Sequence, residues 1–410
     1  MTEFKHTTLD NGLDIIAEVN PNAYAVSIGF FVRTGSRDES GEISGVSHFL
    51  EHMLFKGTPR RSAEDVNREL DEMGGVSNAF TTEEMTAYYI SALPEMQTRA
   101  VDLLADILRP SLRESDFNTE KKVILEEIKM YEDQPPFGVD EKCRELFFQG
   151  HPLSRSVLGT CESVGRLTVS QMRAYFEDRY SPGNIVAAAS GAVDFDRFVN
   201  DLRRWCGGWK SVPVHRETFR PAGRSGKQLY TRSASAQEYF FLLSDAPSSC
   251  DEDRYAAALL ANIVGDDVGS RLFWDLVDNG KADYASLGFS DFYDAGFFCT
   301  SFCSAPDTAS DNLKITEDIL QQTVEDGIAE EELVRSRNKV LARLVRAAER
   351  SRGRLFSIGS EWIQNHAYCP VSRDMQKVRN LTVEDVNAVL RHYPITPKLY
   401  VAVGPLDRLF

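Results

Sequence analysis

The order of strands and helices begins again after the middle of the sequence. Residues 206–228, CGGWKSVPVHRETFRPAGRSGKQ, are rich in glycine, proline and basic residues, a composition typical of a linker. Strand-like segments precede helical ones on both sides of it. Because 410 residues exceed one ordinary core, we expect two α+β halves of similar size. The predicted domains are residues 1–207 and 229–410, joined by a linker at 208–228.

Each predicted half has recognisable elements. In the first half, alternating apolar residues flank an Asn-Gly turn, which favours a β-hairpin, and apolar residues at helical spacing follow. The predicted strands lie near residues 4–19, 25–36 and 76–93, and the predicted helices near 45–55, 63–74, 94–109 and 115–133. In the second half, strands are predicted at 236–243 and within 282–304, with helices at 252–264 and then up to about 352.

Composition excludes some functions. The net charge of -16 argues against nucleic acid or an anionic membrane surface as the main partner. The seven cysteines form no CxxC pair, and their odd number is a poor basis for a disulfide framework. The sequence shows no signal peptide and no apolar run long enough to span a membrane. We therefore expect a cytoplasmic protein, although a leader outside this sequence would escape notice.

One predicted helix carries two histidines and a glutamate on a single face. In SHFLEHMLF, His48, Glu51 and His52 lie opposite an apolar stripe at about 100° per residue. Residues at i and i+4 are one turn apart, so both imidazoles can reach one tetrahedral Zn²⁺. Glu51 is placed to accept a proton from a metal-activated water. The spacing predicts a hydrolytic zinc site, with a solvated helix face as the alternative. The stripe consists of Val46, Phe49, Leu50, Met53 and Leu54.

A catalytic zinc site needs a third protein ligand, which this helix does not supply. The predicted helix at 115–133 offers Glu120 and Glu127, which are two turns apart on one face. One carboxylate could bind the metal while the other orients a ligand or the water. Glu126 and Glu132 compete for this role, and the residues alone leave the choice open.

The sequence resembles the pitrilysin and insulinase family of zinc peptidases along essentially its whole length, and within it the processing-peptidase-like members. HxxEH is the inverted zinc motif of the inverzincins. Other segments similar to family signatures are TLDNGL, GSRDE, GVSHFLEHMLFKGT, NAFTTEEMTAYY and VILEEIKMYEDQP. The resemblance implies two homologous α+β halves, each a mixed or antiparallel sheet with helices packed on it, which together form one half of a clam-shell chamber.

The resemblance also implies roles for individual residues. His48, His52 and Glu127 would bind one Zn²⁺ per chain, Glu51 would be the general base, and Glu120 would be the supporting acidic residue of the catalytic set. The implied activity is that of an endopeptidase that cleaves short or unfolded peptides. Only the first half would carry zinc, since residues 220–410 contain only His366 and His392 and no second HxxEH.

Substrate binding is implied at two places. Asn78, Ala79 and Phe80 correspond to an edge strand whose backbone pairs with an extended peptide, which allows one site to accept many sequences. Tyr284 corresponds to a substrate-contacting tyrosine of the second half. Many relatives carry an arginine seven residues before it, but this chain has Val277, which cannot donate bidentate hydrogen bonds. The equally weighted alternative is that Tyr284 is an ordinary aromatic residue of the core, without a role in substrate binding.

The loss of that arginine bears on assembly. A half-chamber needs a second family chain to close it, so we expect a homodimer or a heterodimer, the latter with a partner that supplies the missing arginine. The alternatives to an endopeptidase are a catalytically silent or partner-dependent scaffold subunit and a module that binds peptides without cutting them. The intact HxxEH favours the enzyme.

Overall fold

The computed structural model describes residues 2–410. Its strands are β1 (Glu3–Thr8), β2 (Asp14–Val19), β3 (Val26–Val32), β4 (Val76–Thr81), β5 (Thr86–Ala92), β6 (Ile185–Gly191), β7 (Gly226–Thr231), β8 (Glu238–Asp245), β9 (Tyr284–Asp291), β10 (Gly296–Ser304) and β11 (Leu399–Gly404). Its helices are α1 (Val46–Leu54), α2 (Ala63–Glu72), α3 (Gln97–Ile107), α4 (Glu114–Asp133), α5 (Val139–Phe147), α6 (Cys161–Arg166), α7 (Val169–Arg179), α8 (Phe195–Cys206), α9 (Arg254–Gly265), α10 (Ala309–Asp326), α11 (Glu330–Ala348), α12 (Ser351–Asn365), α13 (Val371–Asn380) and α14 (Val383–His392).

The chain forms two compact units, each assembled from separate stretches of sequence. Unit 1 comprises the residues up to Met130, Arg155–Glu217 and Val345–Pro370, and unit 2 comprises Tyr131–Ser154, Thr218–Leu344 and Val371–Phe410. One passage from unit 1 to unit 2, at Glu217, lies inside the predicted linker. At the other crossings, α5 from the first half of the sequence enters unit 2, and α12 from the second half enters unit 1. The predicted boundaries did not include these two crossings.

Unit 1 is built on a six-stranded sheet with the order β1-β2-β6-β3-β5-β4. The pair β2/β6 is parallel, and the other pairs are antiparallel. Every residue of the central strands β3 and β6 is buried, because helices cover both faces of the sheet. Helices α1, α3, α4, α7 and α8 contribute to the large apolar core on one face, and α12 packs on the other. Strand β4 remains at an edge.

Helix α12 fits its face of the sheet closely. Gly359 lies against the Phe31 ring, where an added Cβ would come within 2.3 Å of a ring carbon. Glycine is therefore required for this approach. Beside it, the buried Arg354 guanidinium donates two hydrogen bonds, of 2.8 and 2.6 Å, to the Glu18 carboxylate on β2. The Tyr368 hydroxyl donates a third, of 2.9 Å, to the same carboxylate. These contacts anchor the exchanged helix in unit 1.

Unit 2 repeats the plan with a five-stranded sheet in the order β7-β11-β8-β10-β9. The pair β7/β11 is parallel, and the other pairs are antiparallel. Helix α5 packs on β8 and β11 on one face, and α9 packs on β9 on the other. A π-helical turn, Phe273–Val277, precedes β9. Two mixed sheets with packed helices confirm the predicted α+β fold class.

The first part of the predicted linker is held in unit 1 without regular secondary structure. Arg216 donates hydrogen bonds of 2.9 and 2.6 Å to the carboxylate of Asp38, and both side chains are buried. Ser181 donates a further bond to the Val212 carbonyl. The composition that predicted a linker did not show that buried polar contacts hold this part of the chain in unit 1.

Within residues 2–410, none of the helices combines the length and the apolar character that a membrane span requires. The cytoplasmic location stays a prediction.

Candidate metal centre

Helix α1 buries its apolar stripe and presents its other face to the candidate site. The stripe residues are at most 1% exposed and belong to the core of unit 1. Phe49 stacks on Phe117 of α4 with ring centroids 4.6 Å apart, which fixes the two helices against each other. His48 and Glu51 are each only 9% exposed. The alternative of a solvated helix face does not hold, because His48 and Glu51 are buried.

Three predicted ligands meet between α1 and α4. One ligand atom from each of His48, His52 and Glu127 lies within 4.8 Å of the others. Glu127 Oε1 is 3.9 Å from His48 Nε2, and Glu127 Oε2 is 3.7 Å from His52 Nε2. Two imidazole nitrogens and a carboxylate are a donor set of catalytic zinc sites, with a fourth position left open. The residues present fit a zinc ion.

The two histidines differ in their proton affinity. Burial, reinforced by the charge of His52, lowers the pKa of His48 to about 4, so its ring is neutral near pH 7. Its buried Nδ1 atom has no hydrogen-bond partner within residues 2–410. Burial also acts to lower the pKa of His52, but its hydrogen bond with Glu120 and the charges of Glu127 and Glu51 outweigh this and raise it. His48 thus offers a free lone pair, whereas His52 is held by carboxylates.

Glu120 lies behind His52 rather than beside the other ligands. Its Oε1 is 3.0 Å from His52 Nδ1, and its Oε2 accepts a hydrogen bond of 2.6 Å from Lys56 Nζ. Burial acts to raise the pKa of Glu120, but these two partners outweigh it and lower the pKa. An ionised Glu120 accepts a hydrogen bond from the Nδ1–H of His52, which leaves the lone pair of His52 Nε2 on the side that faces Glu127.

Glu51 stands next to the three ligands without joining them. Its Oε2 accepts a hydrogen bond of 2.6 Å from the Thr81 hydroxyl on β4. Burial raises the pKa of Glu51, and the charge of Glu127 adds to this, while Thr81 and His52 act in the opposite direction. A carboxylate with a raised pKa holds a proton more readily near neutral pH, as a general base requires.

The predicted substrate residues lie on edge strands in both units. Asn78, Ala79 and Phe80 are on β4, which pairs only with β5. The Ala79 N–H donates a bond of 2.9 Å to the Asn78 side chain, while the Phe80 ring packs against Phe356 of α12 at 5.6 Å. Tyr284 begins β9 of unit 2 and is 38% exposed, so it is not a buried core aromatic. The metal cluster belongs to unit 1, and Tyr284 is not part of it.

Several residues around the site had no role in the sequence-based prediction. Thr81 lies on the same strand face as Ala79, so the alternation of a strand could have pointed to it. Lys56 follows His52 by four residues, a spacing that could also have been noticed. Glu39 caps α1 by accepting hydrogen bonds from the Gly45 and Ser47 N–H groups, and no pattern in the sequence predicted this contact.

Comparisons with known proteins place the chain in a family. The family model "Insulinase (Peptidase family M16)" matches residues 14–161, and "Peptidase M16 inactive domain" matches residues 166–340. An uncharacterized zinc protease of Mycobacterium tuberculosis is 33% identical over 95% of this chain and 90% of its own length. Another, from Bacillus subtilis, is 30% identical over 94% of this chain and 95% of its own.

Solved structures share the fold. The crystal structure of a protease from Helicobacter pylori has a TM-score of 0.93 at 21% identity and covers 99% of this chain and all of its own. A peptidase M16 inactive domain from Pseudomonas fluorescens has a TM-score of 0.92 at 17% identity, with both chains fully covered. The two family models together match most of the sequence, and the relatives match nearly all of it. The chain belongs to the insulinase family of peptidases, M16.

Proposed function

We propose that this chain is a zinc-dependent endopeptidase that cleaves short or unfolded peptides. The observation that carries the proposal is the convergence of His48, His52 and Glu127 within 4.8 Å, next to the buried Glu51. The names of the relatives, zinc proteases, give it further support. A bound Zn²⁺ supplies Lewis acidity, which polarises a carbonyl and lowers the pKa of a water molecule.

Side chains of this protein bind the metal, orient its ligands and transfer the proton. His48, His52 and Glu127 hold the metal, and Glu120 fixes the ring of His52 through Nδ1. Glu51 takes a proton from the attacking water at a carboxylate oxygen and returns it to the amine that leaves. The Thr81 hydroxyl fixes Oε2 of Glu51, so the other oxygen, Oε1, is the one free to carry that proton.

The open edge of β4 is proposed to bind the substrate backbone. In an antiparallel pair, every second residue directs its N–H and C=O away from the partner strand. The Ala79 N–H bonds to the side chain of Asn78 rather than to β5, so it points towards the open edge. An extended peptide that replaces the Asn78 side chain would gain this donor. Such backbone pairing gives affinity with little dependence on sequence.

The proposal includes a second chain of this family, as a homodimer or a heterodimer. Val277 is half-buried against the apolar core of unit 2 and supplies no cation where many relatives are implied to have arginine. Tyr284 keeps an exposed ring at the start of β9. Size-exclusion chromatography with activity assays on the purified chain tests this. Full turnover by the purified chain without a different subunit would contradict the heterodimer.

The experiment that tests the function combines metal analysis with hydrolysis. We expect one zinc per chain and cleavage of a quenched fluorescent peptide, with both lost in His48→Ala and Glu127→Ala, because removal of one of three ligands cripples metal affinity. A chain that binds zinc but cleaves no peptide would favour the silent or partner-dependent subunit instead. A chain that binds no zinc would refute the proposal.

A further inference from the structure

Helix α1 has no cap of its own. Its N-cap residue is Gly45, which has no side chain to accept a hydrogen bond from the first turn. Gly45 has φ of 91°, and an added Cβ would come within 2.6 Å of the Leu158 carbonyl oxygen. The serine, threonine or aspartate that usually caps a helix therefore does not fit at this position. The free N–H groups of the first turn need another acceptor.

The carboxylate of Glu39, which precedes the helix in the sequence, provides that acceptor. Glu39 Oε2 accepts a hydrogen bond of 2.7 Å from the Gly45 N–H, and Glu39 Oε1 accepts one of 2.7 Å from the Ser47 N–H. Glu39 is only 3% exposed. Hydrogen bonds from backbone N–H groups to a carboxylate are among the stronger ones, and a helix N-terminus favours negative charge. Both oxygens are thus committed to the start of α1.

The Ser47 side chain is held as well. Its hydroxyl lies 2.7 Å from the Tyr175 hydroxyl, which in turn lies 2.7 Å from the Thr34 hydroxyl. All of these groups are buried. The residue directly before His48 is therefore fixed through its backbone by Glu39 and through its side chain by Tyr175.

The helix is too short to absorb a shift at its start. It spans nine residues, Val46–Leu54, so His48, Glu51 and His52 all lie within its first two turns. A displacement of the first turn therefore moves these side chains relative to Glu127 on α4. Mutation of groups that orient metal ligands from outside typically costs about 10–100-fold in metal affinity or activity.

We propose that Glu39 is a positioning residue of the zinc site, which fixes the first turn of α1 and thereby the places of His48 and Glu51 relative to Glu127. This inference rests on the proposed zinc peptidase function. Both oxygens of Glu39 bind backbone N–H groups of α1, so its role is to position and not to react.

The chemistry of a buried acid suggests the informative substitution. Burial raises the pKa of Glu39, while the N–H groups of Ser47 and Gly45 and the charge of Arg155 act in the opposite direction and stabilise its ionised form. Glutamine has the same shape but cannot be ionised, so Glu39→Gln removes the negative charge at the start of α1. It keeps one acceptor oxygen and places an NH₂ group against the second backbone N–H. The variant therefore weakens the cap with little loss of packing.

The test measures zinc dissociation constants by chelator competition on the full chain, with circular dichroism to establish folding. We expect Glu39→Gln to raise the zinc Kd about 10-fold or more, and to alter the visible spectrum of the Co²⁺-loaded protein, which reports ligand geometry. Ser62→Ala is the matched control. It removes the cap of α2, where the Ser62 hydroxyl accepts a hydrogen bond of 3.1 Å from the Asp65 N–H. This change should leave the zinc Kd unchanged.

The outcomes separate the two proposals. A folded Glu39→Gln with the wild-type zinc Kd and Co²⁺ spectrum overturns the positioning role alone. A wild-type chain that binds no zinc overturns the proposed function, and the positioning role with it. If Glu39→Gln does not fold, Glu39→Asp replaces it, since aspartate keeps the carboxylate but is one methylene too short to hold both N–H groups in the same places. An unchanged zinc Kd in a folded Glu39→Asp would then overturn the positioning role.

Discussion

Replacement of Glu120 should weaken zinc binding although it removes no ligand. Glu120 is 5% exposed, and its Oε1 lies 3.0 Å from His52 Nδ1. This bond orients the ring so that Nε2 faces Glu127. We expect Glu120→Gln and Glu120→Ala both to raise the zinc Kd, the alanine variant more strongly.

The magnitude follows from the kind of hydrogen bond that is lost. A hydrogen bond to a charged group contributes about 1.5–3 kcal/mol, and a neutral one about 0.5–1.5 kcal/mol. Glu120→Gln exchanges one for the other, a loss of about 1.4 kcal/mol, which corresponds to about a tenfold rise in Kd. Glu120→Ala leaves His52 Nδ1 without this partner, so the rise should approach about 100-fold.

The assay is chelator competition at fixed pH and ionic strength on folded protein. Glu126→Gln is the control, because Glu126 lies on the same helix with a 74% exposed side chain and pairs only with the neighbouring Lys129 among the described residues. It should leave the zinc Kd unchanged. If Glu120→Ala bound zinc as tightly as the wild type, the assignment of Glu120 as the group that orients His52 would be wrong.

Three further predictions concern the anchoring of α12 and the substrate edge. Arg354→Met should lower the free energy of unfolding by about 3–5 kcal/mol in urea titrations, because the buried Glu18 carboxylate loses its cationic partner and keeps the neutral Tyr368 hydroxyl; the double variant with Glu18→Leu should regain most of this. Burial acts to raise the pKa of Asp14, but hydrogen bonds from Trp362, Thr8 and His6 outweigh it and lower the pKa. Asp14 therefore stabilises the fold above pH 3.8, its ordinary pKa, and the melting-temperature difference between wild type and Asp14→Asn should vanish as the pH falls below that value. Ala79→Pro removes the N–H at the open edge and should raise the KM for an extended peptide about fivefold with an unchanged zinc Kd; an unchanged KM would contradict backbone pairing there.

The sequence predicted elements whose signal is local. The apolar stripe of α1 recurs at helical spacing, and the same residues are buried in the structure. Alternating residues around Asn11-Gly12 predicted β1 and β2, which pair in an antiparallel register. The position of Glu51 beside the histidines follows from the same helical phase, because one helix carries all three.

Features that depend on distant contacts were not predictable in this way. Glu120, Glu126, Glu127 and Glu132 are all acidic residues of α4, and only the packing of α4 against α1 brings Glu127 to the histidines and leaves Glu126 exposed. The exchange of α12 into unit 1 depends on contacts such as Arg354 with Glu18, which are more than three hundred residues apart. No local pattern of apolar residues contains that information.

The Glu51→Gln variant tests whether Glu51 is the general base of a zinc peptidase. The measurement compares bound zinc and hydrolysis of a quenched fluorescent peptide in the same preparations of wild type and variant. Glu51 is not among the three ligands, so we expect the same zinc content with hydrolysis reduced by about 100-fold or more. Wild-type hydrolysis by a zinc-loaded Glu51→Gln variant would contradict it.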